Sequence, residues 1–268
     1  FLHIENEDIG SFLELRENPD SYADYENSDF FLEQQIIVDE NQDKDNLANH
    51  VNEVLRRRYD TSVMNLTIAV TRDCNFNCIY CYEIDRPHAH MSEEVEDAII
   101  AFVSSNKQLK ALNVVWYGGE PLMNFQTIKR LTEKFKSLNV KYTAEIVTNG
   151  YLMNEDICKS FKDLSIDKAQ ITLDGFASIH DKRRPLRSGK GTYHVIFENI
   201  INLLKYHKDI KINIRSNIDV DNADDYADFH NYINDYFKDE RVVSYPGFVE
   251  DLLDSGCSAS SRNISGHD

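Results

Sequence analysis

No stretch of this sequence is long and apolar enough to cross a bilayer, and no secretion signal opens it. Basic residues are outnumbered: 29 Lys and Arg against 46 Asp and Glu leave a formal net charge of −17. A nucleic-acid binder needs a basic face to neutralise phosphates, and none is apparent. Neither nucleic acid nor membrane is therefore expected as a partner, and the acidity reads as a solvated surface. Cysteines are few and odd in number: Cys74, Cys78, Cys81, Cys158 and Cys257. With the first three packed into one short segment, a disulfide framework is a poor account of them. They read as metal ligands in a reducing, cytoplasmic compartment. Internal repeats and low-complexity tracts are also missing.

What is present is enough for one large or two modest domains: 268 residues, 41% of them hydrophobic. Residues 1–62 are acidic and irregular, with helical spacing at Leu47, Val51, Val54 and Leu55. This N-terminal extension is expected to serve peptide recognition. The opening residue, Phe1, is expected of a fragment of a longer product. From residue 63 to about 250 strands and helices alternate. Leu66–Val70, Leu112–Trp116, Tyr142–Val147, Ala169–Leu173, Ile212–Ile218 and Arg241–Phe248 read as strands. Ser92 should cap a helix that buries Val95, Ile99, Phe102 and Val103. Asn124 should open one burying Phe125, Ile128, Leu131 and Phe135, and Asn154 the next. Thr192 should cap a helix with Val195, Ile196, Ile200, Leu203 and Leu204 inward, and Tyr226, Phe229, Ile233 and Phe237 mark the last. Six βα units predict an α/β fold with parallel strands, too few for a closed eight-stranded barrel. A partial (β/α)6 TIM-like barrel with a small N-terminal extension fits; a doubly wound sheet competes. Residues 251–268, small and polar, read as the start of a truncated C-terminal region.

Directly after the first predicted strand runs Thr71-Arg72-Asp73-Cys74-Asn75-Phe76-Asn77-Cys78-Ile79-Tyr80-Cys81-Tyr82. The C-terminal ends of strands carry the binding loops in such folds. Three thiolates on one loop hold three irons of a cubane and leave the fourth open. Structural zinc is the alternative, with His88 or His90 as fourth ligand. The spacing by itself leaves both open. Cys158, beside Ile157 and Phe161, reads as core.

The segment resembles the radical S-adenosylmethionine (SAM) superfamily, whose motif is C-x3-C-x-aromatic-C, with Tyr80 at the aromatic position. Further motifs carry the resemblance: Trp116-Tyr117-Gly118-Gly119-Glu120-Pro121-Leu122, Val147-Thr148-Asn149-Gly150, Thr172-Leu173-Asp174-Gly175, His180-Asp181-Lys182-Arg183-Arg184 and Gly189-Lys190-Gly191-Thr192-Tyr193. Their order and spacing, over residues 65–250, are similar to the peptide- and protein-maturing branch. Anaerobic sulfatase maturases and thioether-forming peptide maturases typify that branch, which often carries a C-terminal domain with auxiliary iron–sulfur clusters. Cys257 is either the first cysteine of such a region or a free loop cysteine.

The resemblance implies a [4Fe-4S] cluster held by Cys74, Cys78 and Cys81, and SAM on the fourth iron. It implies cofactor contacts by Tyr80, by Gly118 and Gly119 (whose bare backbone lets the methionine amino group approach), and by Glu120, Thr148 and Asn149. Thr172, Arg184, Arg215 and Asn217 are expected to contact the cofactor too, and Asp174 is the expected catalytic group. Thr148 and Asn149 read equally as a turn, Arg215 and Asn217 as outward or edge positions, and His180 as either hydrogen-bonder or acid. The implied reaction is oxidative modification of a ribosomally made peptide, by thioether or carbon–carbon cross-linking, through a 5′-deoxyadenosyl radical. A flavodoxin or ferredoxin is the implied electron donor. Sulfatase-type maturation to formylglycine is the alternative, and a non-catalytic, zinc-stabilised binding module is the alternative of another class.

Overall fold

The computed structural model describes residues 40–83 and 88–249, together with positions 13, 17 and 18. The expectations for Cys257 and residues 251–268 lie outside these. The chain divides into two compact units, Phe1–Asp60 and Thr61–Asp268. In the first, the main described element is helix α1, Glu40–Tyr59. The stripe Leu47, Val51, Val54 and Leu55 lies on it and is exposed.

The second unit alternates strand and helix: β1 Val63–Thr71, α2 Glu93–Ser105, β2 Ala111–Gly118, α3 Phe125–Lys136, β3 Lys141–Thr148, α4 Glu155–Ser160, β4 Ile166–Thr172, α5 Ala177–Arg183, α6 Tyr193–Tyr206, β5 Lys211–Ile218, α7 Ala223–Phe237 and β6 Val242–Phe248. All six strands are parallel and pair in chain order, β1 to β6. The sheet is unclosed, so the fold is a partial TIM-like barrel rather than a doubly wound sheet. Among the described residues, no helix is long and apolar enough to cross a membrane.

Period-two alternation divides the two faces of each strand. On β2, Leu112, Val114 and Trp116 are fully buried toward the helices. Ile128, Leu131 and Phe135 of α3 pack onto them, with Trp116 and Phe135 stacked at 6.4 Å. The opposite face is polar: Asn113 donates to Asn65 Oδ1 at 2.8 Å and accepts from Thr143 Oγ1 at 2.7 Å. The greasy layer thus anchors the helices, and a hydrophilic concave face remains for function.

Three local expectations need correction. On α2, Val103 is buried as expected, but Val95 and Phe102 are exposed and Glu96 is buried instead. Glu96 can occupy the packed face because Thr127 and the Arg130 guanidinium hydrogen-bond its carboxylate. Thr192 does not cap α6 with its side chain. Asp181 Oδ1 does so, accepting from Thr192 N at 2.7 Å and Tyr193 N at 2.8 Å. On α6, Val195 is exposed, whereas Ile196, Ile200 and Leu203 face inward as expected.

Candidate active site

The cysteine loop leaves β1 and is laid across the ends of the later strands. Its backbone pairs with the segment after α5: Asn77 N donates to Pro185 O at 2.9 Å, Ile79 N to Arg183 O at 3.0 Å, and Arg187 N to Asn75 O at 3.0 Å. Cys74, Cys78 and Cys81 are free thiols of intermediate exposure, and all three line a cavity of about 870 Å³. Burial pushes the Cys74 thiol up to about 12. Burial also raises Cys78, against the pull of the Arg184 cation. Metal uptake must displace these protons.

The zinc alternative requires His88 or His90 to turn toward the cysteines. Both turn to Asp73 instead, His88 through Nδ1 and His90 through Nε2 at 3.1 Å. Among the described residues, no three His, Cys, Asp or Glu side chains converge as they would around one metal ion. The three thiols do share a cavity wall with Arg184, whose Nε is buried without a partner. That donor set fits a cubane beside a ligand bearing a carboxylate.

Gly118 and Gly119 line the same cavity, and the structure gives them a further reason to be glycine. Gly118 has φ +134°, and a Cβ there would lie 2.1 Å from Thr71 O. A Cβ on Gly119 would lie 2.3 Å from Asp73 O. The end of β2 is thus pressed against the root of the cysteine loop, where Gly119 N donates to Thr71 O and Glu120 N to Asp73 O.

Glu120 is fully buried beneath this contact. Its Oε1 accepts from Leu122 N at 3.0 Å and Thr148 Oγ1 at 2.7 Å, and its Oε2 from Asn149 N at 2.7 Å. Burial pushes its carboxyl up, and those three donors work the other way. Glu120 therefore joins the loop after β2 to the turn after β3; it is not on the cavity wall. Thr148 and Asn149 do line the cavity while forming that turn. Thr148 Oγ1 accepts from Gly150 N at 3.0 Å, and Asn149 Nδ2 reaches Asn75 Oδ1 at 2.8 Å.

The Tyr80 hydroxyl is a junction. It donates to Asp174 Oδ2 at 2.6 Å and accepts from Arg184 Nη1 at 2.7 Å and Asn217 Nδ2 at 3.0 Å. Asp174, expected as the catalytic group, is 2% exposed and does not line the cavity. Arg183 Nε and Asn217 N occupy its remaining acceptor sites, at 3.3 and 3.0 Å. Its place is behind Tyr80, fixing the loop. His180 is likewise a hydrogen-bonder: Nδ1 accepts from Asp174 N at 3.1 Å and Nε2 meets Thr192 Oγ1 at 3.1 Å. Burial, then the nearby Arg184 and Arg183 cations, hold its imidazole well below the usual range. Thr172, Arg184, Arg215 and Asn217 all line the cavity. Cys158 is buried in the core, as expected.

Sequence reasoning passed over several wall residues. Tyr82 and Tyr117 on the wall join hydroxyls at 2.9 Å, and Gln170, also on the wall, accepts from Tyr245 OH behind it at 2.6 Å. Arg72, Tyr82 and Tyr117 sit inside the motif segments themselves. Gln170 lies one strand period before Thr172. Those positions were the available signal.

The profile of the Radical SAM superfamily matches residues 68–235. An uncharacterized protein of Methanocaldococcus jannaschii is 35% identical over 131 residues, covering 47% of this chain and 43% of the relative. The serine-type anaerobic sulfatase-maturating enzyme of Bacteroides thetaiotaomicron is 27% identical over 190 residues, covering 67% of this chain and 45% of the relative. The chain thus spans less than half the length of either. Among solved structures, native anSMEcpe with bound AdoMet and Kp18Cys peptide superposes with a TM-score of 0.64 at 22% identity, over 71% of this chain and 52% of that one. With its profile match, its open parallel half-barrel and its cysteine loop, the chain belongs to the radical SAM superfamily, whose enzymes use a [4Fe-4S] cluster and S-adenosylmethionine.

Proposed function

We propose that this chain is the catalytic core of a radical SAM enzyme that oxidatively modifies a ribosomally synthesised peptide, forming a thioether or carbon–carbon cross-link. The observation that carries the reading is the shared cavity: three thiols, two bare glycine positions and an incompletely partnered arginine on one wall. Its volume of about 870 Å³ is near the upper end for a single small ligand, leaving room for a substrate side chain beside the cofactor.

In this reading Cys74, Cys78 and Cys81 hold the cluster. Gly118 and Gly119 leave backbone room for the methionine end of SAM, and Thr172 and Arg184 face its ribose and carboxylate. Thr148 and Asn149 shape the floor. Tyr80 meets the cofactor with its ring while its hydroxyl locks the loop. Bound there, the cluster and SAM would supply one-electron reductive chemistry and hydrogen-atom abstraction from the substrate. The chain itself fixes distances and shields the cavity from water. A flavodoxin or ferredoxin would deliver the electron.

The relatives support a polypeptide substrate. One is named as a sulfatase maturase, and the superposed anSMEcpe structure holds a peptide. The same names favour a second reading, oxidation of a sulfatase residue to formylglycine. Anaerobic reconstitution tests the core of both. Wild-type protein should take up iron and sulfide and release 5′-deoxyadenosine under reduction; Cys78→Ala should do neither. Stoichiometric zinc without cleavage would instead support a binding module. Either outcome can remove a pair of hydrogens, so reaction of the treated peptide with a hydrazide, which only an aldehyde takes up, together with fragmentation across the linked residues, separates cross-linking from aldehyde formation.

A further inference from the structure

The cavity of this acidic chain is walled by arginine. Arg72, Arg184, Arg187 and Arg215 line it, and among the described residues Glu83 is the one carboxylate that does. With 46 acidic residues against 29 basic ones in the chain, a wall of average composition would be acidic. Arg184 has a task already, because it neighbours Cys78 and a three-thiolate cubane is net anionic. In SAM the sulfonium and the carboxylate offset each other. The remaining arginines therefore face no anion supplied by the cofactors.

Arg215 is held in place. β5 points it into the cavity, and its Nε donates to Asn217 Oδ1 at 2.9 Å. Its guanidinium lies against the backbone of Gly247 on β6, where a Cβ would come within 2.4 Å of Nε. Among the described residues, nothing hydrogen-bonds its two terminal nitrogens. A guanidinium immobilised this way has lost its side-chain entropy in advance and offers a planar pair of donors. Arg187 is held as well: its Nη1 donates to His88 Nε2 at 3.2 Å, and His88 turns its other nitrogen to Asp73. Arg72 stands exposed on the same wall.

We propose that the substrate is an acidic peptide segment, whose carboxylate beside the modified residue is bound by the Arg215 fork while Arg187 and Arg72 receive further acidic groups. This assigns Arg215 to the substrate rather than to the cofactor, and it rests on the peptide reading above. Carboxylate matches a guanidinium fork through paired, charge-assisted hydrogen bonds, strengthened where water is excluded.

The test uses the reconstituted full chain and two fluorescein-labelled octapeptides, alike except that Asp flanks the central Cys in one and Asn in the other. Anisotropy should show the Asp peptide binding about tenfold tighter, with the preference shrinking as salt rises. The preference should fall to about twofold or less in Arg215→Gln and in Gly247→Ala, which keeps the arginine but displaces it. Cluster absorbance reports that each variant is folded. Equal affinity for the two peptides overturns the charge preference and leaves the peptide reading standing. Failure of both peptides to bind the folded, cluster-loaded protein overturns both.

Discussion

At the scale of single residues, the Tyr80 hydroxyl decides how firmly the cysteine loop is held. It joins groups 94, 104 and 137 residues away along the chain. Burial, opposed by Arg184, holds the phenol protonated well above its ordinary range, so it remains the donor to Asp174. Tyr80→Phe deprives buried Asp174, Arg184 and Asn217 of a shared partner. A loss of about 1–3 kcal/mol is expected for unmet buried polar groups. For a unit of this size that is a fall in melting temperature of roughly 3–10 °C. Calorimetry of the wild type and the variant measures it; a melting temperature within a degree of wild type would show the junction to be idle. Cys78 is untouched by the change, so iron uptake should survive.

At the scale of elements, Glu120 is the tie between the loop after β2 and the turn after β3. Glu120→Gln replaces one acceptor oxygen with an NH2 group, which must face an N–H or hydroxyl donor in a site closed to water. About 1–3 kcal/mol should be lost. Hydrogen exchange should speed up at Asn149 and Leu122 before it does in the β2 and β3 ladders; uniform protection in the variant would contradict this role. The strands that carry these loops were legible because period-two alternation and motif glycines survive in the bare sequence. The register of α2 was not. Val95 and Phe102 are apolar, yet the helix turns Glu96 inward, since its partner Arg130 lies 34 residues away and no local pattern announces the pair. The cap of α6 was hidden similarly, as Asp181 reaches it from α5. Asp174 ends a motif strand and so invited a catalytic role, but only the fold shows that its oxygens face Tyr80 and Arg183. The cysteines and glycines were readable because chemistry and sterics constrain them one by one. The arginine wall was not, because it is assembled from β5 and from loops distant in sequence.

At the scale of the whole molecule, stability should depend on pH through His180. Its folded-state imidazole titrates well below the usual histidine range, because burial and then Arg184 and Arg183 disfavour the charged form. An unfolded chain therefore binds more protons as the medium acidifies past about 6.5, and stability must fall with it. The contribution is fully present above that value and is lost progressively below it. Thermal melts between pH 8 and 5 should show this decline, and His180→Asn, which keeps an acceptor for Asp174 N, should flatten it. An equally steep decline in the variant would assign the effect elsewhere.

Strand order carries a last consequence, for assembly. Each strand pairs with the one made just before it, so the sheet can lengthen from one edge as the chain is synthesised. The cysteine loop emerges with the first strand, yet one of its clasps, Asn217, sits 137 residues downstream on the fifth. Without that late strand the Tyr80 hydroxyl lacks its Asn217 partner, and the loop that carries the thiols is held by fewer contacts. Delivery of the right inorganic cargo is therefore best timed to follow completion of the curved sheet rather than to accompany its growth.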